Sequence, residues 1–406
     1  MAISHPKDYG VWLLAAVMIA AQAQAEPPEA VPLLGAPFSA ELTAITSDGQ
    51  LTFRTDSGER RLALSELVRR GECPEPEQHT TIVLVNGGML VAEVLTIDKH
   101  RLVAESETFG HVQLPLDSLA GILFKLPWER TQRDLLFERI LSAKEESDRL
   151  LLQNGDEISG LIEGLEHGKL ELRGAVGARA FETSGATAIV FNPALRRRLG
   201  KTEGLQVWAG LADGSRLLTD SLTLDSEKMT LDTLGQRLSG PPRRLVFLQT
   251  LSHSKLVYLS DIQPSEFHQT PFLELPWPYA SDRNVAGGWL RCGGKLYLKG
   301  LGVHAAARLV FALSPAAEGT TAATGAKRFE ALIGLDDSAG RGGSVRFRVL
   351  VDGQEKYLSP IIHGGEPPQP VSVALEGGKR LELVVDFADR GDVLDRAVWL
   401  DARLTK

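Results

Sequence analysis

Several aromatic and polar side chains in the last third of this 406-residue chain have contexts that favour exposure. Trp277 and Tyr279 lie in a Pro-Trp-Pro-Tyr run, where the prolines disfavour a central strand and predict a loop. His304 ends a Gly-Leu-Gly-Val-His run whose glycines allow close backbone approach. Aromatic faces can stack on an apolar ring face, and a neutral imidazole offers hydroxyl groups one donor and one acceptor. Arg291 and Asp337 could add paired hydrogen bonds, so these five residues are predicted to form one ligand-binding loop surface.

A packing role competes with this interpretation at most of these positions. A histidine after a Gly-x-Gly strand can simply hydrogen-bond a neighbouring loop, and that use is the commoner one. Trp277 and Tyr279 suit packing about as well as ligand contact. Trp399 lies in an apolar terminal strand and is expected in the core.

Metal binding and catalysis have weaker support. Asp336 and Asp337, followed by glycines, could wrap a calcium ion, but a salt bridge to Arg341 explains the pair equally well. Calcium is therefore a possible cofactor only. Glycosidases need two carboxyl groups about 5–9 Å apart in a cleft, and neither this pattern nor a Gly-x-Ser-x-Gly elbow is evident. We predict no catalytic residues and no enzyme activity. Cys73 and Cys292 lack metal-type spacing and are expected as free thiols.

The elements that would carry the binding loops are short strands. From about residue 253 the chain is punctuated by glycine turns, and residues 345–351 alternate apolar and basic side chains as a half-buried strand does. This cadence predicts a β-sandwich over residues 253–406.

The preceding region contains a repeat of about four to five short strands. Each copy has a tight glycine turn near its start and an apolar strand ending in phenylalanine. Turn and phenylalanine are 38, 37 and 34 residues apart in three copies: Asn86 to Phe124, Asn154 to Phe191 and Asp213 to Phe247. A truncated copy is expected at 38–71. Such copies are too small to be stable alone, so we predict small β-barrel-like units or a curved array that acts as a spacer or assembly surface.

One amphipathic helix is predicted between the copies. Residues 128–150 depart from strand character, and apolar side chains recur at helical spacing from Leu136 to Leu141. Such a stripe is more often a packing face than a partner-binding face.

Composition indicates a globular protein, and the N-terminal segment predicts export. Residues 1–25 resemble a signal peptide, with Lys7, an apolar stretch and Ala-Gln-Ala before the cleavage site. That stretch is too short for a membrane span, and no later segment is longer. The balance of 44 basic and 52 acidic residues contains no long basic run, which argues against nucleic acid as a partner. We expect a periplasmic, cell-envelope or secreted location.

The C-terminal region resembles the NPCBM family of carbohydrate-binding modules, which also occurs beside family 98 glycoside hydrolases. The matching stretches come in the family's order: the Lys-Gly-Leu-Gly-Val-His-Ala run at 299–305, then 329–337 with 342–347, and finally 381–386 before Asp401-Ala402. The resemblance implies a galactose-binding-like jelly-roll sandwich with carbohydrate as its ligand. The whole layout is also similar to exported planctomycete-type proteins that end in this module.

We therefore predict a mainly β protein with the following layout: 1–25 signal peptide, 26–127 β-repeats with a truncated first copy, 128–150 helical connector, 151–252 β-repeats and 253–406 NPCBM-like β-sandwich. The predicted function is non-catalytic carbohydrate binding, with sugar held by Trp277, Tyr279, Arg291, His304 and Asp337. The alternative is a structural or protein-interaction role in the cell envelope without sugar affinity. A glycoside hydrolase is the least favoured interpretation.

Overall fold

The structure is a computed structural model that describes residues 27–200, 204–271, 276–313, 325–389 and 391–406. The signal peptide expected at 1–25 lies outside the described residues and stays a prediction. Within the described part, no helix is both long enough and apolar enough to cross a membrane.

The N-terminal two-thirds consists of four copies of one strand arrangement. The first copy contains β1 (Glu29–Pro32), β2 (Phe38–Ser39), β3 (Glu41–Ile45), β4 (Gln50–Thr55), β5 (Gly58–Ala63) and β6 (Leu67–Arg70). The second contains β7 (Thr81–Leu84), β8 (Met89–Val91), β9 (Glu93–Ile97), β10 (Arg101–Ser106), β11 (Gly110–Pro115) and β12 (Leu119–Leu123). The third contains β13 (Asp148–Leu152), β14 (Glu157–Glu166), β15 (Lys169–Gly174), β16 (Gly177–Glu182) and β17 (Ala186–Val190). The fourth contains β18 (Val207–Leu211), β19 (Arg216–Thr219), β20 (Ser221–Leu224), β21 (Met229–Thr233), β22 (Gln236–Gly240) and β23 (Leu245–Thr250).

The same strand order recurs in each copy. The closing strand returns to pair antiparallel with the opening strand: β6 with β1, β12 with β7, β17 with β13 and β23 with β18. Gly87, Gly155 and Gly214 have φ of 83°, 91° and 91°, a backbone conformation that favours glycine at the first turn. Because β1 supplies the opening strand, the first copy is not truncated, contrary to expectation.

The copies do not form closed barrels. A 3-10 turn joins the last two strands of each copy, for example Leu116–Ser118 between β11 and β12. Those two strands do not pair with each other, so no barrel closes in the described part of the chain. Edges are covered by other copies instead: β12 pairs with β17, β6 pairs with β23, and β8 pairs with β19. The copies thus share one apolar core.

One α-helix, α1 (Arg130–Leu141), occurs in the described residues, and it lies within the predicted connector. Phe137 and Ile140 are buried in an apolar cluster with the strands beside them, so the stripe is a packing face. The helix is shorter than the predicted connector. It ends at Leu141, and β13 already begins at Asp148.

The C-terminal region is a sandwich of two antiparallel sheets, and the mainly β class with this sandwich is confirmed. Its strands are β24 (Leu256–Tyr258), β25 (Glu266–Gln269), β26 (Ala280–Ser281), β27 (Leu290–Cys292), β28 (Lys295–Tyr297), β29 (Gly300–His304), β30 (Ala307–Ala312), β31 (Arg328–Leu335), β32 (Ser344–Val351), β33 (Gln354–Leu358), β34 (Ile362–His363), β35 (Gln369–Ala374), β36 (Arg380–Phe387) and β37 (Arg396–Thr405). One sheet has the order β26-β29-β37-β31-β35 with β24 also on β37, and the other has β25-β30-β36-β32-β33 with β34 also on β32. Apolar side chains fill the space between them, including Trp399, which is 0% exposed.

Candidate functional site

The Gly-Leu-Gly run fixes strand β29 tightly in its sheet. A side-chain Cβ at Gly302 would lie 2.4 Å from the Arg283 carbonyl oxygen, and one at Gly300 would lie 2.5 Å from that of Trp399. Such distances exclude any larger residue without backbone movement. The two glycines therefore hold β29 in register with β37 and place His304 at one end of the sandwich.

His304 and Trp277 form a stacked pair at this end. Their ring centroids are 4.9 Å apart, and the ring planes differ by 12°. His304 is 5% exposed, and its Nδ1 lies 3.0 Å from the Ala305 carbonyl oxygen. A carbonyl oxygen only accepts, so Nδ1 carries a proton. Nε2, which accepts when the ring carries a single proton, has no hydrogen-bond partner among the described residues. Trp277 is half-buried, so the histidine supports an indole that still meets solvent.

A glutamine holds the Trp277 loop against the sandwich. The Trp277 backbone N–H donates to Gln269 Oε1 at 3.1 Å. Gln269 lies opposite Ala307 on the neighbouring strand β30, three residues beyond His304. Its Nε2 is buried and has no acceptor among the described residues. An unpaired buried amide donor is unfavourable, so a ligand oxygen would be a natural partner.

Arg396 is a site residue that the sequence did not suggest. It lies directly opposite His304 in the pairing of β37 with β29. Directly opposed residues of antiparallel strands project from the same face, so the guanidinium and the imidazole share one side of the sheet. Arg396 Nη1 donates to the Ser338 carbonyl at 3.2 Å, and no described carboxylate forms an ion pair with it. Its only sequence signal was a polar residue just before an apolar strand.

Asp395 adds a buried carboxyl group beside the pair. It is 0% exposed, and its backbone carbonyl accepts from the Ala305 N–H at 3.2 Å. Oδ1 accepts from the Ser344 N–H at 2.8 Å, whereas Oδ2 is buried without a partner in the described part of the chain. Burial raises the pKa of this carboxyl to about 6, and the nearby Asp392 adds to the rise.

Asp395 should make stability depend on pH. The pKa of Asp395 is higher in the folded than in the unfolded chain, so the group adds to the free energy of unfolding below about pH 4. This contribution is lost as pH rises through about 6. Between pH 4 and 7 this group should lower the free energy of unfolding of the unmodified chain by roughly 1–3 kcal/mol. Asp395→Asn should lack that part of the decline. Urea unfolding of both proteins at several pH values measures this. An unchanged pH profile in the variant would contradict the assignment.

Arg291 does not lie on the predicted loop surface. It is 5% exposed and joins the sandwich to the repeats: Nη1 donates to Asp134 Oδ2 of α1 at 2.6 Å, and Nε donates to Glu75 Oε1 at 2.9 Å. These two carboxylates neutralise it and occupy its donors. The expectation that Arg291 lies on an exposed loop surface is therefore wrong, because the partners that bury it come from a distant part of the chain.

Asp337 holds a turn. Its two carboxylate oxygens accept from the Gly293 and Gly294 N–H groups, each at 2.9 Å. Asp336 is 1% exposed and accepts from the Arg291 and Ser338 N–H groups. Neither carboxylate forms an ion pair with Arg341 in the described part of the chain, so the salt bridge considered as an alternative to calcium does not form there. The described residues contain no group of three or more acidic, histidine or cysteine side chains arranged to hold a metal ion.

Tyr279 makes its described ring and hydroxyl contacts with other residues than the stacked pair. Its hydroxyl donates to Gln263 Oε1 at 3.1 Å, and its ring meets Phe267 edge-on at 5.1 Å. Of the five predicted residues, the structure thus brings Trp277 and His304 together. Asp337 follows the end of β31, beside the start of β37, and its carboxylate is already occupied.

Comparison with known proteins places the C-terminal segment in a family. Residues 255–405 match the family model described as the NPCBM/NEW2 domain, which confirms the predicted resemblance. The match covers nearly the whole sandwich.

Three similar proteins illustrate the match. Over 180 residues, 44% of this chain, the sequence is 28% identical to a candidate endo-alpha-N-acetylgalactosaminidase of Renibacterium salmoninarum. Over 122 residues, 30% of this chain, it is 32% identical to alpha-1,3-galactosidase B of Akkermansia muciniphila. The matched stretches span 11% and 14% of those relatives. The solved CBM51 module of Clostridium perfringens GH95 in complex with methyl-galactose is 27% identical, covering 37% of this chain and 99% of that one, with a TM-score of 0.32.

Proposed function

We propose that this chain is an exported, non-catalytic carbohydrate-binding protein whose sugar ligand lies on Trp277 at the His304 end of the sandwich. The observation that carries the proposal is the stacked pair. The imidazole fixes the indole plane, so little side-chain entropy would be lost when a sugar ring packs on the remaining indole surface.

Polar groups around the stack suit hydroxyl recognition. Arg396 offers donors without a carboxylate partner in the described residues, and His304 Nε2 offers an acceptor. The unpaired Nε2 of Gln269, the residue that holds the Trp277 backbone, adds a donor. Sugar hydroxyls both donate and accept, so this mixture fits them better than it fits a purely anionic or apolar ligand.

Galactose-type sugars are the first ligands to test. The two curated relatives are named for action on galactose-type glycans, and the matched stretch is a small part of each. The matching region here is a binding module, so we propose recognition of such a sugar without its hydrolysis. The repeats would then act as a spacer or assembly surface for the module outside the cytoplasm.

Truncating the stacked indole should abolish most of the affinity. We expect Trp277→Ala to weaken binding of methyl α-galactoside by about tenfold or more in isothermal titration of the full chain, because the apolar ring contact is lost. The matched control is Trp128→Ala, which removes an indole that is 84% exposed and outside the sandwich. Its affinity should equal that of the unmodified chain.

His304→Ala should weaken the same sugar by a similar factor, because the indole loses its support. A glycan array on the full chain that shows no binding would favour the structural or protein-interaction role instead. Binding that survives both variants would move the site elsewhere on the module. Release of free sugar from a bound glycan would overturn the non-catalytic assignment.

A further inference from the structure

A cavity lies where the repeats, helix α1 and the sandwich meet. It has a volume of about 280 Å³, and aromatic side chains from all three parts line it: Phe137, Trp208, Trp289 and Tyr297. Trp289 is nearly fully buried and meets Phe137 edge-on at 5.3 Å, whereas Trp208 is half-buried. Aromatic rings from the helix, the repeats and the sandwich thus form much of the cavity wall.

Arg216 of strand β19 lines this cavity without a counter-charge. It is 4% exposed, its guanidinium carbon lies 4.6 Å from the Trp289 ring centroid and 5.7 Å from that of Trp208, and its Nη1 lies 3.8 Å from Cys73 Sγ. Its Nε is buried with no acceptor in the described part of the chain. No described carboxylate forms an ion pair with it. The Cys73 thiol supplies no charge, because burial raises its pKa to about 11.

The other cations around the cavity are neutralised. Lys299 Nζ donates to Asp282 Oδ2 at 2.7 Å and also pairs with Asp261. Arg283 donates to Glu138 Oε2 at 2.8 Å. Arg216 therefore differs from its neighbours in lacking the anion that a buried guanidinium normally requires.

The cost of that arrangement points to a missing anion. A buried charge without a partner is strongly unfavourable, and two aromatic rings compensate it only in part. A carboxylate matches the planar guanidinium with two parallel hydrogen bonds. The cavity is at the lower end of the range of ligand pockets, which limits the occupant to about one ring.

We propose that this interdomain cavity binds the carboxylate of a single acidic sugar ring, with Arg216 holding the carboxylate and Trp208 stacking on the ring. The site is separate from the Trp277 surface, and it would let ligand binding strengthen the junction between the repeats and the module.

D-Glucuronate is the probe, with D-glucose as its uncharged match and acetate as a carboxylate without a ring. In isothermal titration of the full chain we expect glucuronate to bind at least about tenfold more tightly than glucose or acetate. Glucose lacks the carboxylate for Arg216, and acetate lacks the ring for Trp208. Arg216→Met should weaken glucuronate binding by about 10- to 100-fold. Trp208→Ala, which keeps the charge, should weaken it by about tenfold and covers the case in which Arg216→Met fails to fold. Trp128→Ala is the unaffected control.

Thermal unfolding gives a second readout. Glucuronate should raise the melting temperature of the unmodified chain and not that of Arg216→Met, because a ligand stabilises only a state that binds it. Equal binding of glucose and glucuronate, or glucuronate binding that Trp277→Ala removes and Arg216→Met leaves intact, would overturn the proposal. No detectable glucuronate binding to the folded, unmodified chain would overturn it as well. Loss of galactoside binding in Trp277→Ala is independent of all these outcomes.

Discussion

Asp134→Ala is expected to lower the free energy of unfolding by about 3–5 kcal/mol, because it breaks a buried ionic junction between the repeats and the sandwich. The Asp134 side chain is 0% exposed, and its two oxygens accept from Arg291 at 2.6 and 3.0 Å and from the Trp289 N–H at 2.8 Å. Removal of this carboxylate would leave the backbone N–H of Trp289 unpaired. Arg291 would keep Glu75 alone, and Glu75 also neutralises Arg133 at 2.5 Å.

Urea unfolding followed by tryptophan fluorescence measures the effect, since Trp289 lies in the junction. The matched control is Glu41→Ala, which removes an exposed ion pair with Arg54 and should cost about 1 kcal/mol or less. An equally small change in Asp134→Ala would show that the junction adds little stability. A transition that splits into two would show that the junction couples the unfolding of the two parts.

Trp399→Ala should cost about 3–5 kcal/mol of unfolding free energy by opening a large cavity in the sandwich core. Trp399 is 0% exposed and meets Phe347 edge-on at 4.9 Å and Phe329 at 6.1 Å. Its Nε1 is buried without an acceptor among the described residues. Trp399→Phe should therefore cost clearly less, because it keeps most of the ring and removes an unpaired donor.

Trp277→Ala is the contrasting variant. It removes a half-buried indole from a loop, so we expect a loss of about 1 kcal/mol or less in the same urea titration, together with the loss of galactoside affinity. The two tryptophans thus separate a folding role from a binding role. Comparable stability losses in both variants would mean that Trp277 is part of the core and that its effect on binding is indirect.

Local patterns in the amino-acid sequence were sufficient to predict the sandwich, the existence of the repeat and the helix. Alternating strands and glycine turns predicted the sandwich and the repeat, and helical spacing predicted the α1 packing face. These features depend on which face of an element is apolar and on which residues tolerate positive φ, and both are properties of a few adjacent positions. The Gly-x-Gly run likewise indicated close backbone approach at Gly302, where a Cβ would meet the Arg283 carbonyl.

The partners of the site residues depended on strand pairing and domain packing. The sequence context of Arg291 predicts a loop ligand, but Glu75, 216 residues away, and Asp134, 157 residues away, bind its guanidinium and bury it. Arg396 became a site residue only because β37 pairs with β29 and sets it opposite His304. The first copy gained its opening strand from the pairing of β1 with β6. Local patterning states which side of a strand is buried, but not which distant strand or carboxylate will cover it, and that is decided when the cores assemble.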